Sequence, residues 1–136
     1  MSDYTDYKTD YTDSMRNKDH LTERIIACCY KVHSELGPGF KEKIYHTALK
    51  FAFNQDGLLY ETEKQFEVYY QNNRMGNLIV DLLVEKKVIL EIKAVAGNIP
   101  DVFKYQLLSY LKASNLKVGL LVNFGNKSCQ VKRVVL

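Results

Sequence analysis

Two acids and a lysine are set into the run Ile79-Val80-Asp81-Leu82-Leu83-Val84-Glu85-Lys86-Lys87-Val88-Ile89-Leu90-Glu91-Ile92-Lys93. Most of its residues are β-branched or apolar, and a polar centre in such a run predicts a β-hairpin turning at Glu85–Lys87. With those three residues as the turn, Val84 faces Val88, Leu83 faces Ile89 and Asp81 faces Glu91. Residues directly opposite share one side of a sheet, with Cβ atoms roughly 4.5–5.5 Å apart. Lys93, two residues beyond Glu91, shares that side. The other side collects Val80, Leu82, Val84, Val88, Leu90 and Ile92. One side is therefore made for a core, and the other holds two carboxylates and an amine. Facing carboxylates repel, and a divalent cation removes that cost because hard cations take carboxylate oxygens as ligands. The plainer reading of the same spacing is a half-exposed strand pair, with Lys93 as a counter-ion of little energetic weight.

Other polar residues fall where they would join such a site. Glu42 stands in the first turn of a helix with Tyr45 at i+3 on the same face. In structural terms alone, Glu42 complements the helix's positive end and Tyr45 is a core aromatic with a wet tip. Gln106 and Tyr110 share a face at i, i+4, and their plainer reading is a polar stripe beside Leu107 and Leu111. His20, His33 and His46 are scattered. His46 follows Tyr45 and can reach the same cleft, although a histidine without an orienting partner reads first as structural.

The elements that must position these residues follow from the apolar pattern. Leu21, Ile25, Cys28, Cys29, Val32 and Leu36 mark one face of a helix with Asp19 as its N-cap, and Gly37-Pro38-Gly39 ends it. A second helix spans about Phe40 to Gln55, with Ile44, Leu49, Ala52 and Phe53 inward and Gly57 as its stop. Glu61 to Gln71 alternates around Phe66, Val68 and Tyr70 as a strand, and Asn72-Asn73-Arg74 forms a turn into the hairpin above. A third helix runs from about Asp101 to Ser114, carrying Phe103, Leu107, Leu108 and Leu111. Lys117 to Phe124 is a strand, and Gln130 to Leu136 a short edge strand. The order is α-α-β-β-β-α-β-β.

At 136 residues, with 46% hydrophobic and 26% charged positions, the chain is long and apolar enough for one real core without disulfide or metal staples. Residues 1–18 are expected to be a disordered tail, since the Tyr-Thr-Asp repeat of residues 4–13 has neither helical nor strand periodicity. Residues 19–136 are expected to form the folded domain. The net charge of +3 divides unevenly: residues 1–13 carry −3, which leaves +6 for the rest. A basic folded part is compatible with a nucleic-acid partner. Cys28, Cys29 and Cys129 make no C-x-x-C pair, which predicts reduced thiols and no zinc site. Met1-Ser2-Asp3 lacks the regions of a signal peptide, and no apolar run approaches the roughly 18 residues of a membrane span, so a cytoplasmic protein is expected. Glycine-rich phosphate loops, H-E-x-x-H and G-x-S-x-G are all missing.

The run Leu36-Gly37-Pro38-Gly39-Phe40-Lys41-Glu42-Lys43-Ile44-Tyr45 closely resembles the signature of the GxxExxY proteins, here Gly39, Glu42 and Tyr45. These are a small-domain branch of the PD-(D/E)xK nuclease superfamily. The resemblance extends from Leu21 to about Val135 and includes Asp81-Leu82-Leu83-Val84-Glu85, Glu91-Ile92-Lys93-Ala94-Val95, Gln106-Leu107-Leu108-Ser109-Tyr110 and Gly119-Leu120-Leu121-Val122-Asn123-Phe124-Gly125. Two positions depart from the pattern. Val80 stands where relatives carry a small residue before the Asp, and Phe103 stands where many carry a His three residues before the Gln.

The resemblance implies an α/β nuclease-like fold, a mixed β-sheet flanked by helices. It implies that Asp81 and Glu91 are metal-binding acids, that Lys93 is the lysine of E-x-K, and that Glu42 is a further acid from the preceding helix. Gln106 and Tyr110 resemble the Q-x-x-x-Y element of RecB-type exonuclease relatives. The implied activity is Mg²⁺- or Mn²⁺-dependent hydrolysis of DNA or RNA. Asp81, Glu91 and the carbonyl of Ile92 would hold the metal, with Glu42 direct or through water, and Lys93 would be catalytic. Lys41, Lys43, Arg74, Lys86, Lys87 and Lys104 are candidate backbone contacts. Expected partners are nucleic acid and a second copy of the chain as a homodimer, with no membrane. The alternative is a non-catalytic nucleic-acid- or protein-binding module that keeps the nuclease scaffold.

Overall fold

The computed structural model describes residues 19–136; the expected tail, residues 1–18, lies outside the described residues. Three helices and five strands follow in the order α1 (His20–Leu36), α2 (Glu42–Gln55), β1 (Tyr60–Tyr70), β2 (Asn73–Val84), β3 (Val88–Lys93), α3 (Asp101–Ser114), β4 (Val118–Asn123) and β5 (Gln130–Val135). This is the expected order. The strands form one sheet, β1-β2-β3-β4-β5. Only β3 and β4 are parallel, because α3 carries the chain back between them; the neighbouring pairs are antiparallel.

Local chemistry sets the boundaries. Asp19 caps α1, accepting from the Thr22 amide at 3.3 Å and the Thr22 hydroxyl at 2.8 Å, and it also pairs with Arg133 at 3.0 Å. A cap of this kind is worth about 1 kcal/mol. Asn115 ends α3 in the left-handed conformation, φ 61°, its amide bonding back to Leu111 and Lys112. The β1–β2 turn falls on Gln71 and Asn72 (φ 48° and 65°), one residue before the expected turn, so that Tyr70 pairs with Asn73.

Apolar residues cover both faces of the sheet. On one face α1 and α2 pack Ile25, Cys29, Leu49 and Phe53 against Leu82, Val84, Leu90, Ile92 and Leu120. On the other, Leu107 and Leu111 of α3 pack against Val80, Leu83, Ile89, Leu121 and Val134. Two expectations are corrected here. Val80 lies in the α3-side cluster rather than with Leu82 and Val84, and the hairpin side read as polar is itself largely core. In α2, Leu49, Ala52 and Phe53 are buried as expected, but Ile44 is 45% exposed and Tyr45 takes the inward position in its place. The three cysteines are buried and free, and burial pushes the Cys129 thiol up to about 12, which keeps it protonated and unreactive. Among the described residues no helix is long and apolar enough to cross a membrane.

Candidate functional site

The β2–β3 ladder pairs Val84 with Val88, Leu83 with Ile89 and Leu82 with Leu90, and there it stops. One residue further, side chains take over from the main chain. Glu91 Oε2 accepts the Asp81 amide at 2.8 Å, and Asp81 Oδ2 accepts the Ile92 amide at 2.7 Å. Each carboxylate thus occupies a main-chain amide beside the other. On its far side β2 loses a pair as well: Thr62↔Leu82 and Lys64↔Val80 are joined, but Glu63, between them, is not paired and has φ 51°. His46 Nε2 lies 3.1 Å from the Asp81 carbonyl. A carbonyl only accepts, so Nε2 carries the hydrogen. Asp81 therefore sits at a break in the sheet held by side chains from α2 and β3. The break also accounts for Val80 and Leu83 sharing one cluster, since strict alternation does not pass through it.

Burial, and then the Asp81 carboxylate, push the Glu91 carboxyl up to about 8, against the lowering effects of the Asp81 amide and the Lys93 ammonium. Glu42 adds to the upward push. The Tyr110 phenol is also raised, by burial first and then by Glu91 and Asp81, so this half-buried tyrosine belongs to the same electrostatic neighbourhood. Lys93 Nζ lies 4.2 Å from the centroid of the Phe103 ring. The residue that departs from the family pattern is therefore the seat of the E-x-K lysine, held by cation–π attraction. Gln106 is exposed, and its side chain makes no hydrogen bond among the described residues.

Beside Asp81 opens a cleft of about 420 Å³, lined by Glu42, Lys43, His46, Thr47 and Lys50 of α2 and by Glu63, Asp81 and Ile92 of the sheet. Of the six basic residues proposed from sequence, Lys43 alone is among its lining; Lys41, Arg74, Lys86, Lys87 and Lys104 are not. Thr47, Lys50 and Glu63 escaped the sequence reading. On α2 they look like a solvated helix face, and Glu63 looks like one more outward strand residue; the i, i+4, i+7 spacing of Lys43, Thr47 and Lys50 was the available signal. Tyr45 is absent from the site. Its hydroxyl donates to the Gly37 carbonyl at 2.6 Å and accepts the Phe40 amide at 3.2 Å, and its ring stacks on Phe124. It pins the Gly37–Pro38–Gly39 turn that aims α2 at the sheet.

The chain leaving Lys93 is clasped from β4. Asn123, fully buried, accepts the amides of Val95 and Gly125 on Oδ1 and donates from Nδ2 to the Val95 carbonyl and Gln130 Oε1. Asn126 brackets Gly97 in the same two-way manner. Gly125 lies so close that a Cβ there would stand 2.4 Å from the Val95 main chain. Lys93 is thereby fixed at both ends, by its strand and by the loop behind it.

The donors at the ladder's end suit a hard divalent cation. Asp81 and Glu91 each keep one carboxylate oxygen beyond the amide bonds above, and Ile92 borders the cleft. The upward shift of Glu91 records the repulsion and burial that a bound cation would relieve. Among the described residues no three His, Cys, Asp or Glu gather closely enough to hold an ion by themselves. A cation here would therefore rest on two carboxylates with main-chain and water oxygens, an arrangement that suits Mg²⁺.

A helix-flanked mixed sheet with D…E-x-K acids at the end of a β-hairpin defines a nuclease-like class. A family model of the PD-(D/E)XK nuclease superfamily matches residues 19–134, and the chain belongs to that superfamily. Nucleases of this superfamily typically use divalent metals. Among solved structures, the crystal structure of SSO0001 resembles the chain with a TM-score of 0.54 and 21% identity, over 68% of this chain and 48% of that one. The likeness is one of fold, and the chain spans about half of that protein's length. No curated protein matches the chain significantly.

Proposed function

We propose that this protein is a metal-dependent nuclease of the GxxExxY branch, hydrolysing phosphodiester bonds of DNA or RNA. The observation that carries the reading is the reciprocal bonding of Asp81 and Glu91 to main-chain amides where the β2–β3 ladder ends. Two carboxylates are brought together there at an electrostatic cost, and a bound cation would offset it where otherwise a proton on Glu91 must. Asp81, Glu91 and the Ile92 carbonyl would hold Mg²⁺ or Mn²⁺, with Glu42 at the cleft's edge. A cation so placed supplies a positive charge for the phosphate and a more acidic water. Lys93, seated on Phe103 and near enough to Glu91 to oppose the upward push on its carboxyl, would stabilise charge building on the phosphate oxygens. Tyr110, which shares the electrostatic neighbourhood of Glu91 and Asp81, would orient the substrate through its phenol.

The second reading, a binding module without catalysis, is favoured by one observation: no three-acid cluster gathers among the described residues. Incubating labelled DNA and RNA with and without Mn²⁺, alongside Lys93→Ala and Asp81→Asn, separates the two. Mn²⁺-dependent cutting lost in both variants supports the nuclease. Nucleic-acid binding without cutting by pure wild-type protein supports the module.

A further inference from the structure

We infer that the exposed face of α2 is a phosphate track, which holds the backbone of duplex nucleic acid beside the carboxylates without reading its sequence. The inference rests on the nuclease reading for what happens at Asp81 and Glu91, but its own observations lie on the opposite wall of the cleft. Lys43, Thr47 and Lys50 fall at i, i+4 and i+7, so they form one stripe, and all three line the cleft. Glu42, Glu63 and Asp81 line it too, yet neither lysine has an ion-pair partner among the described residues. Both ammonium groups are therefore available to an outside anion.

Spacing and composition narrow that anion. Seven residues of helix advance about 10.5 Å at 1.5 Å per residue. One strand of a duplex carries a phosphate every 3.4 Å of axis, so the two lysines span about three nucleotides. Thr47, between them, offers a neutral hydroxyl of the kind that commonly positions phosphates. Single-strand grooves instead combine positive charge with aromatic platforms on which bases stack. The lining here contains no Phe, Tyr or Trp, and the imidazole of His46 is engaged with the Asp81 carbonyl. The lining offers no platform for an unstacked base, which favours a duplex whose bases stay stacked on one another.

The test is binding of labelled duplexes of two unrelated sequences, and of the corresponding single strands, in EDTA so that no cutting intervenes. Wild type should bind both duplexes alike and more tightly than the single strands. Lys43→Ala/Lys50→Ala should weaken duplex binding and flatten the slope of log K against log salt by about 1.8, or about 0.9 per lost phosphate contact. Lys112→Ala/Lys117→Ala removes the same charge from the end of α3 and the connection to β4 and should leave that slope within about 0.5 of wild type. An unchanged slope in the α2 variant, an equal loss in the control, or tighter binding of single strands would each overturn the track. The two readings fail separately. Duplex binding that needs Lys43 and Lys50, with no cleavage in Mn²⁺, keeps the track and removes the nuclease. Cleavage that survives in an α2 variant with wild-type binding keeps the nuclease and removes the track.

Discussion

The two halves of β3 are only three residues long each, and they are built on opposite principles. Val88, Ile89 and Leu90 are bonded through main chain on both sides, to β2 and to β4, and their side chains are core. Glu91, Ile92 and Lys93 keep the parallel ladder to Leu121, Val122 and Asn123 but have lost β2, whose place is taken by the Asp81 and Glu91 carboxylates. A sheet amide bonded to another strand is committed for the life of the fold. One bonded to a carboxylate leaves that carboxylate with a second oxygen for something else. The site lies where main-chain bonding gives way to side-chain bonding.

The contrast can be broken from either half. Leu90→Ala, at a fully buried position of the regular half, should cost about 2–5 kcal/mol of stability by denaturant titration. Its Mn²⁺-induced rise in Tm should survive at temperatures where the variant stays folded. Lys93→Ala should do the reverse. Cleavage should fall by about 10²–10³, as for loss of one preorganised electrostatic contact. Stability should change by only about 0.5–2 kcal/mol, the worth of the ammonium on Phe103.

Glu91 gives the contrast a pH signature. Its folded-state value of about 8 lies above the ordinary 4.5, so the folded chain holds a proton that the unfolded chain releases. The stabilisation is complete below about pH 4.5 and is lost as pH rises toward 8. In EDTA the wild-type Tm should fall across that window, by on the order of a few kcal/mol in stability. Glu91→Gln keeps an acceptor for the Asp81 amide and should flatten the curve, while losing the Mn²⁺ shift. The smallest expected effect is at His46. His46→Ala withdraws a donor from the Asp81 carbonyl and should cost about 0.5–1.5 kcal/mol, whereas His46→Gln should recover much of it, read by thermal melts.

The regular half was legible in sequence and the break was not. Alternation and β-branching gave β3 and its pairing with β2 at Leu83↔Ile89 and Val84↔Val88, because a buried strand writes its register into its apolar pattern. Asp81, Glu91 and Lys93 stood out as charges in an apolar run. What alternation could not show was its own interruption. Glu63 has a positive φ without being Gly or Asn, so no residue type announces the gap that moves Val80 to the other face. Tyr45 misled for a related reason: its spacing from Glu42 suggested the cleft, but its ring is needed against Phe124. Thr47 and Lys50 were invisible because a polar helix face looks the same whether it borders water or a cleft.

The Asn123 clasp has a consequence on the clock of solvent exchange. Val95 belongs to no strand or helix, and an amide in such a connection ordinarily trades its hydrogen for deuterium within seconds to minutes of local opening. Here that hydrogen is held by a side chain with no exposure to water. It escapes only when the end of β4 itself comes apart, so the Val95 amide should exchange as slowly as those of the sheet.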